Sequence, residues 1–161
     1  MKKLNPKHVE AVIALINQGP FFKLLSIQIK ELGRGHSLVE MELSRQHLNP
    51  FGGLHGGAYA SVIDTAAYWS VYGELEEEAG LTSLDLKVDF LAPAPAGKIW
   101  ARGRCIKMGR TLCLAEATAF DEKEKWLAHG VSKMMVLQGT QSIKEAVHFI
   151  GGAPIPSKFI K

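Results

Sequence analysis

One carboxylate, Asp64, lies within the most apolar run of the chain, residues 58–72. A carboxylate among apolar neighbours is costly, so its side chain requires hydrogen-bond partners, a raised pKa, or both. Two interpretations follow. Asp64 is either a base or nucleophile that faces a pocket, or a structural acceptor for a neighbouring strand. We favour the first because an Asp is seldom buried without a purpose.

A glycine-rich segment precedes Asp64 and reads Gly-Gly-Leu-His-Gly-Gly over residues 52–57. It opens a predicted helix, where the N–H groups of Gly56 and Gly57 and the helix dipole favour negative charge. The segment therefore predicts a site for an anion or a developing oxyanion. Asp64 follows about two helical turns later on the same face, too far to serve the same carbonyl within one subunit. A symmetric dimer with antiparallel helices would bring Asp64 of one subunit to Gly56 of the other.

Other chemistries fit these residues less well. The glycine-rich segment is neither a Walker loop nor a dinucleotide fingerprint, because no Gly-Lys-Ser/Thr follows and the glycine spacing differs. A metal site formed by His47, His55 and Asp64 is an alternative, but the spacing matches no zinc pattern. We predict no metal and no organic cofactor. If Asp64 is structural, His47 or His55 becomes the candidate base.

Composition narrows the function classes. The chain has 161 residues, 47% hydrophobic and 22% charged, which is typical of one globular domain and excludes a disordered or fibrous protein. Its net charge of +3 is small for a nucleic-acid-binding protein. One basic cluster would suit a single phosphate-bearing small molecule better than a duplex: Arg102, Arg104, Lys107 and Arg110.

The sequence also predicts a location. No secretory apolar core follows Met1, and no run reaches the roughly 20 residues of a membrane span. Cys105 and Cys113 are too few for a disulfide framework and lie in strand-like stretches. We therefore expect buried free thiols in a reducing, cytoplasmic environment.

The elements that position these residues follow from hydrophobic periodicity. A helix is predicted over 6–18, ended by Gly19-Pro20, and alternation from Leu24 predicts a first strand. A turn at 33–35 leads to a second strand over 38–43, followed by a loop over 44–53. A long helix is predicted from about Gly57 to Glu78, with Gly80 marking its end. Four strands follow, over 84–90, 99–108, 111–120 and 126–137, and then a short helix through Ile143, Val147 and Ile150.

This order predicts an α+β domain with helices segregated from an antiparallel sheet. The long helix is apolar all round, and such a helix is buried on every side. A sheet wrapped around it, with a second subunit covering the remainder, satisfies that requirement. The chain is therefore predicted to be one domain, 1–161, and at least a homodimer.

The motifs together resemble a known family. His47-x-Asn49, Gly53-Leu54-His55-Gly56-Gly57 and Asp64 are similar to the signature of hotdog-fold acyl-CoA thioesterases of the phenylacetate-degradation (PaaI-like) group, which includes the thioesterase superfamily member 2 type. The resemblance extends to Ser83-Leu84-Asp85-Leu86 and Gly109-Arg110-Thr111. It covers residues 20–138 and leaves 139–161 as a C-terminal extension.

The resemblance implies a hotdog fold, a curved antiparallel sheet wrapped around one long central helix. It also implies dimers that share a continuous sheet, pairing of dimers into a homotetramer, and active sites at the dimer interface. The implied activity is hydrolysis of an acyl-CoA or aryl-CoA to the free acid and coenzyme A. The alternative is a non-catalytic hotdog module that binds acyl-CoA or fatty acid, and a structural dimer module is a third option.

The resemblance also implies residue roles. Asp64 is the general base or nucleophile, and the Gly56 N–H polarises the thioester carbonyl. Asn49 positions the nucleophile or water, His55 orients the substrate, and Ser83 holds the water. Substrate binding is assigned to four further residues: His47, Gly57, Thr82 and Arg110. The sequence leaves open whether Thr82 or Ser83 faces the site, and whether Phe51, Tyr68 and Trp69 line an acyl pocket or belong to the core.

Overall fold

The computed structural model describes residues 2–94 and 96–160. In chain order the elements are β1 (Lys3–Leu4), α1 (Pro6–Ile16), α2 (Pro20–Leu24), β2 (Ile27–Leu32), β3 (His36–Glu42), a 3₁₀ turn (Arg45–His47), α3 (Gly56–Tyr72), β4 (Ala79–Phe90), β5 (Lys98–Met108), β6 (Leu112–Phe120), β7 (Trp126–Gln138), α4 (Ile143–Ile150) and β8 (Phe159–Ile160).

The main sheet confirms the predicted α+β architecture. Six antiparallel strands run in the order β2-β3-β5-β6-β7-β4 and wrap around α3. The helix packs more closely against β3, β4, β5, β6 and β7 than against β2. A separate pair, β1 and β8, joins the two ends of the described chain. No helix within 2–94 and 96–160 is long and apolar enough to cross a membrane.

Small residues let α3 approach the sheet closely. Ala66 on the helix and Ala101 on β5 have no exposed surface. A Cβ atom at Gly103 would lie 2.0 Å from the Ala66 carbonyl oxygen. The Ser37 hydroxyl donates to that same oxygen at 2.6 Å, so the helix backbone bonds directly to the sheet. Side chains of ordinary size at these positions would separate the two layers.

The long helix is shorter than its sequence predicts. It ends at Tyr72, with Gly73 as its C-cap, and not at Glu78. A Cβ at Gly73 would lie 2.2 Å from the carbonyl oxygen of Gly33, so this glycine allows a close approach of two backbones. Gly80 does not end the helix; it lies inside β4, which begins at Ala79 and not near Leu84. There it makes room for the carbonyl oxygens of Thr140 and Gln141.

The N-terminal prediction also needs correction. The first helix ends at Ile16, and Gly19-Pro20 begins a second helix, α2, so Leu24 is helical. Proline suits the first turn of a helix because it lacks the N–H that would be unpaired there. The strand therefore starts at Ile27. The Asn17 side chain fixes it, accepting from the Ile29 N–H at 2.8 Å and donating to the Ile29 carbonyl at 3.1 Å.

Candidate active site

The centre of the candidate site is the pair formed by Asp64 on α3 and Ser83 on β4. The Ser83 hydroxyl donates to Asp64 Oδ1 at 3.2 Å. Burial raises the pKa of the Asp64 carboxyl, and the Ser83 hydrogen bond offsets part of that rise. Once ionised, Asp64 is therefore a stronger base than an exposed aspartate, as general base catalysis requires.

A β-bulge in β4 places the serine there. The register against β7 pairs Ser83 with Met134 and Asp85 with Lys133, which leaves Leu84 as the extra residue. The bulge switches the strand from odd to even inward positions, so Leu81 lies inward before it and Leu86 after it. β-Bulges often occur next to active sites, where they change the direction in which a side chain points. The choice left open by the sequence is thus decided by geometry: Ser83, rather than Thr82, contacts Asp64.

Asp64 and Ser83 open onto a cavity of about 820 Å³ between α3, β4, α2 and α4. Tyr68 and Trp69, which the sequence left between pocket and core, line its wall. Phe51 lies elsewhere, 96% exposed, in the loop before α3. Five lining residues that α2 and α4 contribute were not predicted from the sequence: Pro20, Phe21, Phe22, Phe149 and Ile150. The sequence did predict the short C-terminal helix from its apolar spacing, but it gave no sign that this helix lines the same cavity as Asp64.

The start of α3 forms the second part of the site. His55 is its N-cap, and the His55 Nδ1 accepts a hydrogen bond from the Gly57 N–H at 2.7 Å. The Gly57 N–H is therefore used by the helix itself. Within residues 2–94 and 96–160, the Gly56 N–H has no acceptor. Of the two predicted oxyanion donors, Gly56 is the one left available.

Asn49 and His47 shape the loop that leads to this helix. Asn49 Oδ1 accepts from the N–H groups of Phe51 and Gly53, at 2.9 and 3.1 Å. His47 is buried, and its Nδ1 accepts from the Ser44 N–H at 3.0 Å. The His47 Nε2 finds no partner in the described part of the chain. Both side chains thus act on loop conformation within one subunit.

The structure keeps the two halves of the site apart within one chain. Gly56 and Asp64 are eight residues apart on α3, about 12 Å along the helix axis. Asp64, His47 and His55 form no cluster, and the described residues contain no group of three His, Cys, Asp or Glu side chains suited to a metal ion. Both cysteines are free, but only Cys113 is buried as expected; Cys105 is partly exposed. Burial raises the pKa of each thiol.

Arg110 lies in the exposed turn between β5 and β6. Thr111, the next residue, accepts a hydrogen bond from the Val136 N–H at 2.8 Å, and Val136 pairs with Leu81 at the start of β4. The turn therefore lies across β7 from the start of β4, the strand that carries Ser83. Two other members of the basic cluster have acidic partners: Arg104 bonds Glu116 at 2.8 Å, and Arg102 lies 3.6 Å from Glu124.

Comparison with known proteins adds family evidence to this geometry. Residues 51–127 match the model of the thioesterase superfamily. The chain is 28% identical over 103 residues to a 1,4-dihydroxy-2-naphthoyl-CoA hydrolase of Listeria monocytogenes, which covers 64% of this chain and 84% of that protein. It is 32% identical over 79 residues to acyl-coenzyme A thioesterase 13 of Mus musculus, covering 48% of this chain and 56% of the relative.

The fold has a solved counterpart as well. A thioesterase family protein from Silicibacter pomeroyi superposes with a TM-score of 0.75 at 29% identity, covering 82% of this chain and 99% of that one. The residues matched to the superfamily, 51–127, include α3 and β4, which carry Asp64 and Ser83. The chain has the hotdog fold, and its sequence and structure are similar to those of thioesterase-superfamily proteins.

Proposed function

We propose that this protein hydrolyses acyl-CoA or aryl-CoA thioesters to the free acid and coenzyme A, without a metal or an organic cofactor. The observation that carries the proposal is the Asp64–Ser83 pair, a carboxyl with a raised pKa on the wall of a largely apolar cavity. The two named relatives act on CoA thioesters according to their names, which supports the same class of leaving group here.

Two routes fit Asp64. As a general base, it takes a proton from a water held by Ser83, and that water attacks the thioester carbonyl. As a nucleophile, it attacks the carbonyl itself, releases the thiolate, and leaves a mixed anhydride that water then cleaves. In both routes the carbonyl oxygen gains negative charge, which the free N–H of Gly56 would meet. One such donor is worth roughly 10²–10³ in rate.

The complete site requires two subunits in this proposal. On α3, a stripe of partly exposed residues is left uncovered by the sheet, and it includes Ala60, Ser61 and Asp64. β4 is an edge strand of the sheet, and its Leu84 and Phe90 are more than half exposed. A second copy joined along β4 would cover both, and would bring its own Gly56 toward Asp64. Pairing of two such dimers would then give the tetramer.

We expect sedimentation to show at least a dimer at micromolar concentration, because exposed apolar edge strands seldom remain unpaired. The same experiment separates dimer from tetramer. A stable, active monomer would contradict the shared site, since Gly56 and Asp64 of one chain are too far apart to act on one carbonyl.

Arg110 is proposed to contact the phosphates of coenzyme A. We expect Arg110→Ala to raise KM with little change in kcat, and wild-type KM to rise with salt, because ion pairs with phosphate are screened. Arg104→Ala is the matched control, since the Arg104 guanidinium is already bonded to Glu116 and should matter less. A KM independent of salt would count against this contact.

The competing function is a module that binds acyl-CoA or fatty acid without turnover. The carboxyl that faces the cavity favours the enzyme, since burying it has a cost that binding alone does not require. A panel of acyl-CoA and aryl-CoA thioesters, assayed for released thiol, separates the two functions. Release from at least one member is expected; release from none would favour the binding module.

A further inference from the structure

The cavity at Asp64 adjoins a second one farther along α3. The second cavity has a volume of about 390 Å³ and is lined by Tyr72 at the end of α3 and by Leu75 and Ala79 beyond it. Four residues line both cavities: Ile16, Tyr68, Trp69 and Phe149. From Asp64 to Tyr72 the two cavities follow α3 for about 12 Å. We call this pair of cavities the trench.

The hydroxyl groups on the α3 side of the trench bond to the protein and leave apolar surface facing inward. On its floor, the Tyr68 hydroxyl donates to the Leu81 carbonyl at 3.2 Å, and the Tyr72 hydroxyl lies 2.7 Å from His8 Nε2. The Ser61 and Thr65 hydroxyls donate to carbonyls of their own helix, at 2.8 and 2.7 Å. The trench therefore offers a hydrocarbon-like surface with Asp64 at one end, which suits an acyl chain.

Helix α4 forms the outer wall of the trench and lies outside the residues matched to the superfamily, 51–127. Polar contacts stabilise its first turn and the segment that follows it. Ser142 and Glu145 form a capping box at its start. Beyond its end, the fully buried Lys158 donates from Nζ to the Tyr72 carbonyl at 2.7 Å and lies over the Tyr72 ring.

The inner side of α4 is incompletely packed despite these anchors. No side chain of the helix is fully buried, and Phe149 is 76% exposed although it borders both cavities. A large apolar side chain at the mouth of an apolar trench gains burial when a ligand chain lies beneath it. A single chain does not supply that cover.

We propose that α4 is the wall of an acyl-binding trench, and that Phe149 selects unbranched acyl chains of medium length. The inference rests on the proposed function in taking the thioester carbonyl to lie at Asp64. A chain that starts there and follows α3 reaches Tyr72 when it has the length of an octanoyl group. A chain as short as butanoyl stops well before Tyr72, and chains much longer than octanoyl extend past the second cavity into water.

Binding of coenzyme A thioethers, which cannot be hydrolysed, tests the proposal by calorimetry. For the wild type we expect affinity to rise from S-butyl to S-octyl coenzyme A, by up to about fourfold per buried methylene. It should change little from S-octyl to S-hexadecyl. Phe149→Ala should weaken S-octyl binding about tenfold and S-butyl binding less than twofold, and Phe149→Leu should restore most of the loss.

His148→Ala is the control on the same helix, because His148 is exposed and borders neither cavity. It should leave every thioether affinity unchanged, with circular dichroism confirming that each variant is folded. Three results would overturn the proposal: equal losses for S-butyl and S-octyl in Phe149→Ala, affinity that keeps rising to S-hexadecyl, or tighter binding of S-benzyl than S-octyl coenzyme A. Length-dependent binding without release of thiol from any thioester would refute the hydrolysis and leave the trench assignment standing.

Discussion

Replacing Asp64 with asparagine should lower kcat at least about 100-fold while leaving the protein folded. Asparagine keeps the size of the side chain and can still accept the Ser83 hydrogen bond, but it is neither a base nor a nucleophile. Burial already raises the pKa of Asp64, so the ionised carboxyl is a cost to the folded state near neutral pH. The variant should therefore be at least as stable as the wild type, and this gain should shrink as the pH falls and the carboxyl becomes protonated.

The pH profile gives the same substitution a second measurement. Wild-type kcat should fall as the pH drops through the pKa of Asp64, which burial raises. The residual activity of Asp64→Asn should lack that acid limb. Thioether binding to the variant should stay within a few fold of the wild type, because the change removes chemistry and not the cavity.

Two controls make the result specific. Asp89→Asn neutralises another carboxylate of β4, one that is exposed and paired with Lys87, and should leave kcat unchanged. Asn49→Ala should lose less than Asp64→Asn, because Asn49 positions groups and does not make bonds. If Asp64→Asn turns over substrate nearly as fast as the wild type, the carboxylate is structural and the base must be sought at His47 or His55.

The largest effect on stability is expected at Gly103. In Gly103→Ala the new Cβ would lie 2.0 Å from the Ala66 carbonyl oxygen and 2.6 Å from the Ser37 hydroxyl. The first contact is with helix backbone, which cannot rotate away as a flexible side chain would. We expect a loss of about 3 kcal/mol or more in the free energy of unfolding, measured by urea denaturation, or failure to fold.

Gly152→Ala provides the matched control for that measurement. A Cβ there would meet only Leu15 Cδ1, at an ordinary contact distance of 3.4 Å. Its free energy of unfolding should stay within about 0.5 kcal/mol of the wild type. If Gly103→Ala proved equally harmless, the helix and sheet would have to separate at little cost, contrary to the packing described for α3.

The sequence by itself determined the α+β class, the long central helix, most of the strands and Asp64 as the residue to examine. These features depend on local patterns. One is the period at which apolar residues recur, and the other is a charged residue, Asp64, within an otherwise apolar run. The positions of Gly56 and Gly57 at the helix start are equally local. The predicted strand over 99–108 therefore differs from the observed β5 by a single residue at its start.

Only the tertiary structure decided which hydroxyl meets Asp64, where α3 ends, and what covers the cavity. The bulge at Leu84 reverses the inward face of β4, and alternation along the chain gives no sign of that reversal. Gly73 and Gly80 resemble helix breakers, yet each makes room for backbone from a distant segment. Helix α4 is separated from Asp64 by about half the chain, yet Phe149 and Ile150 at its end line the cavity of Asp64. Contacts between residues far apart in sequence settle such features, and no local pattern encodes them.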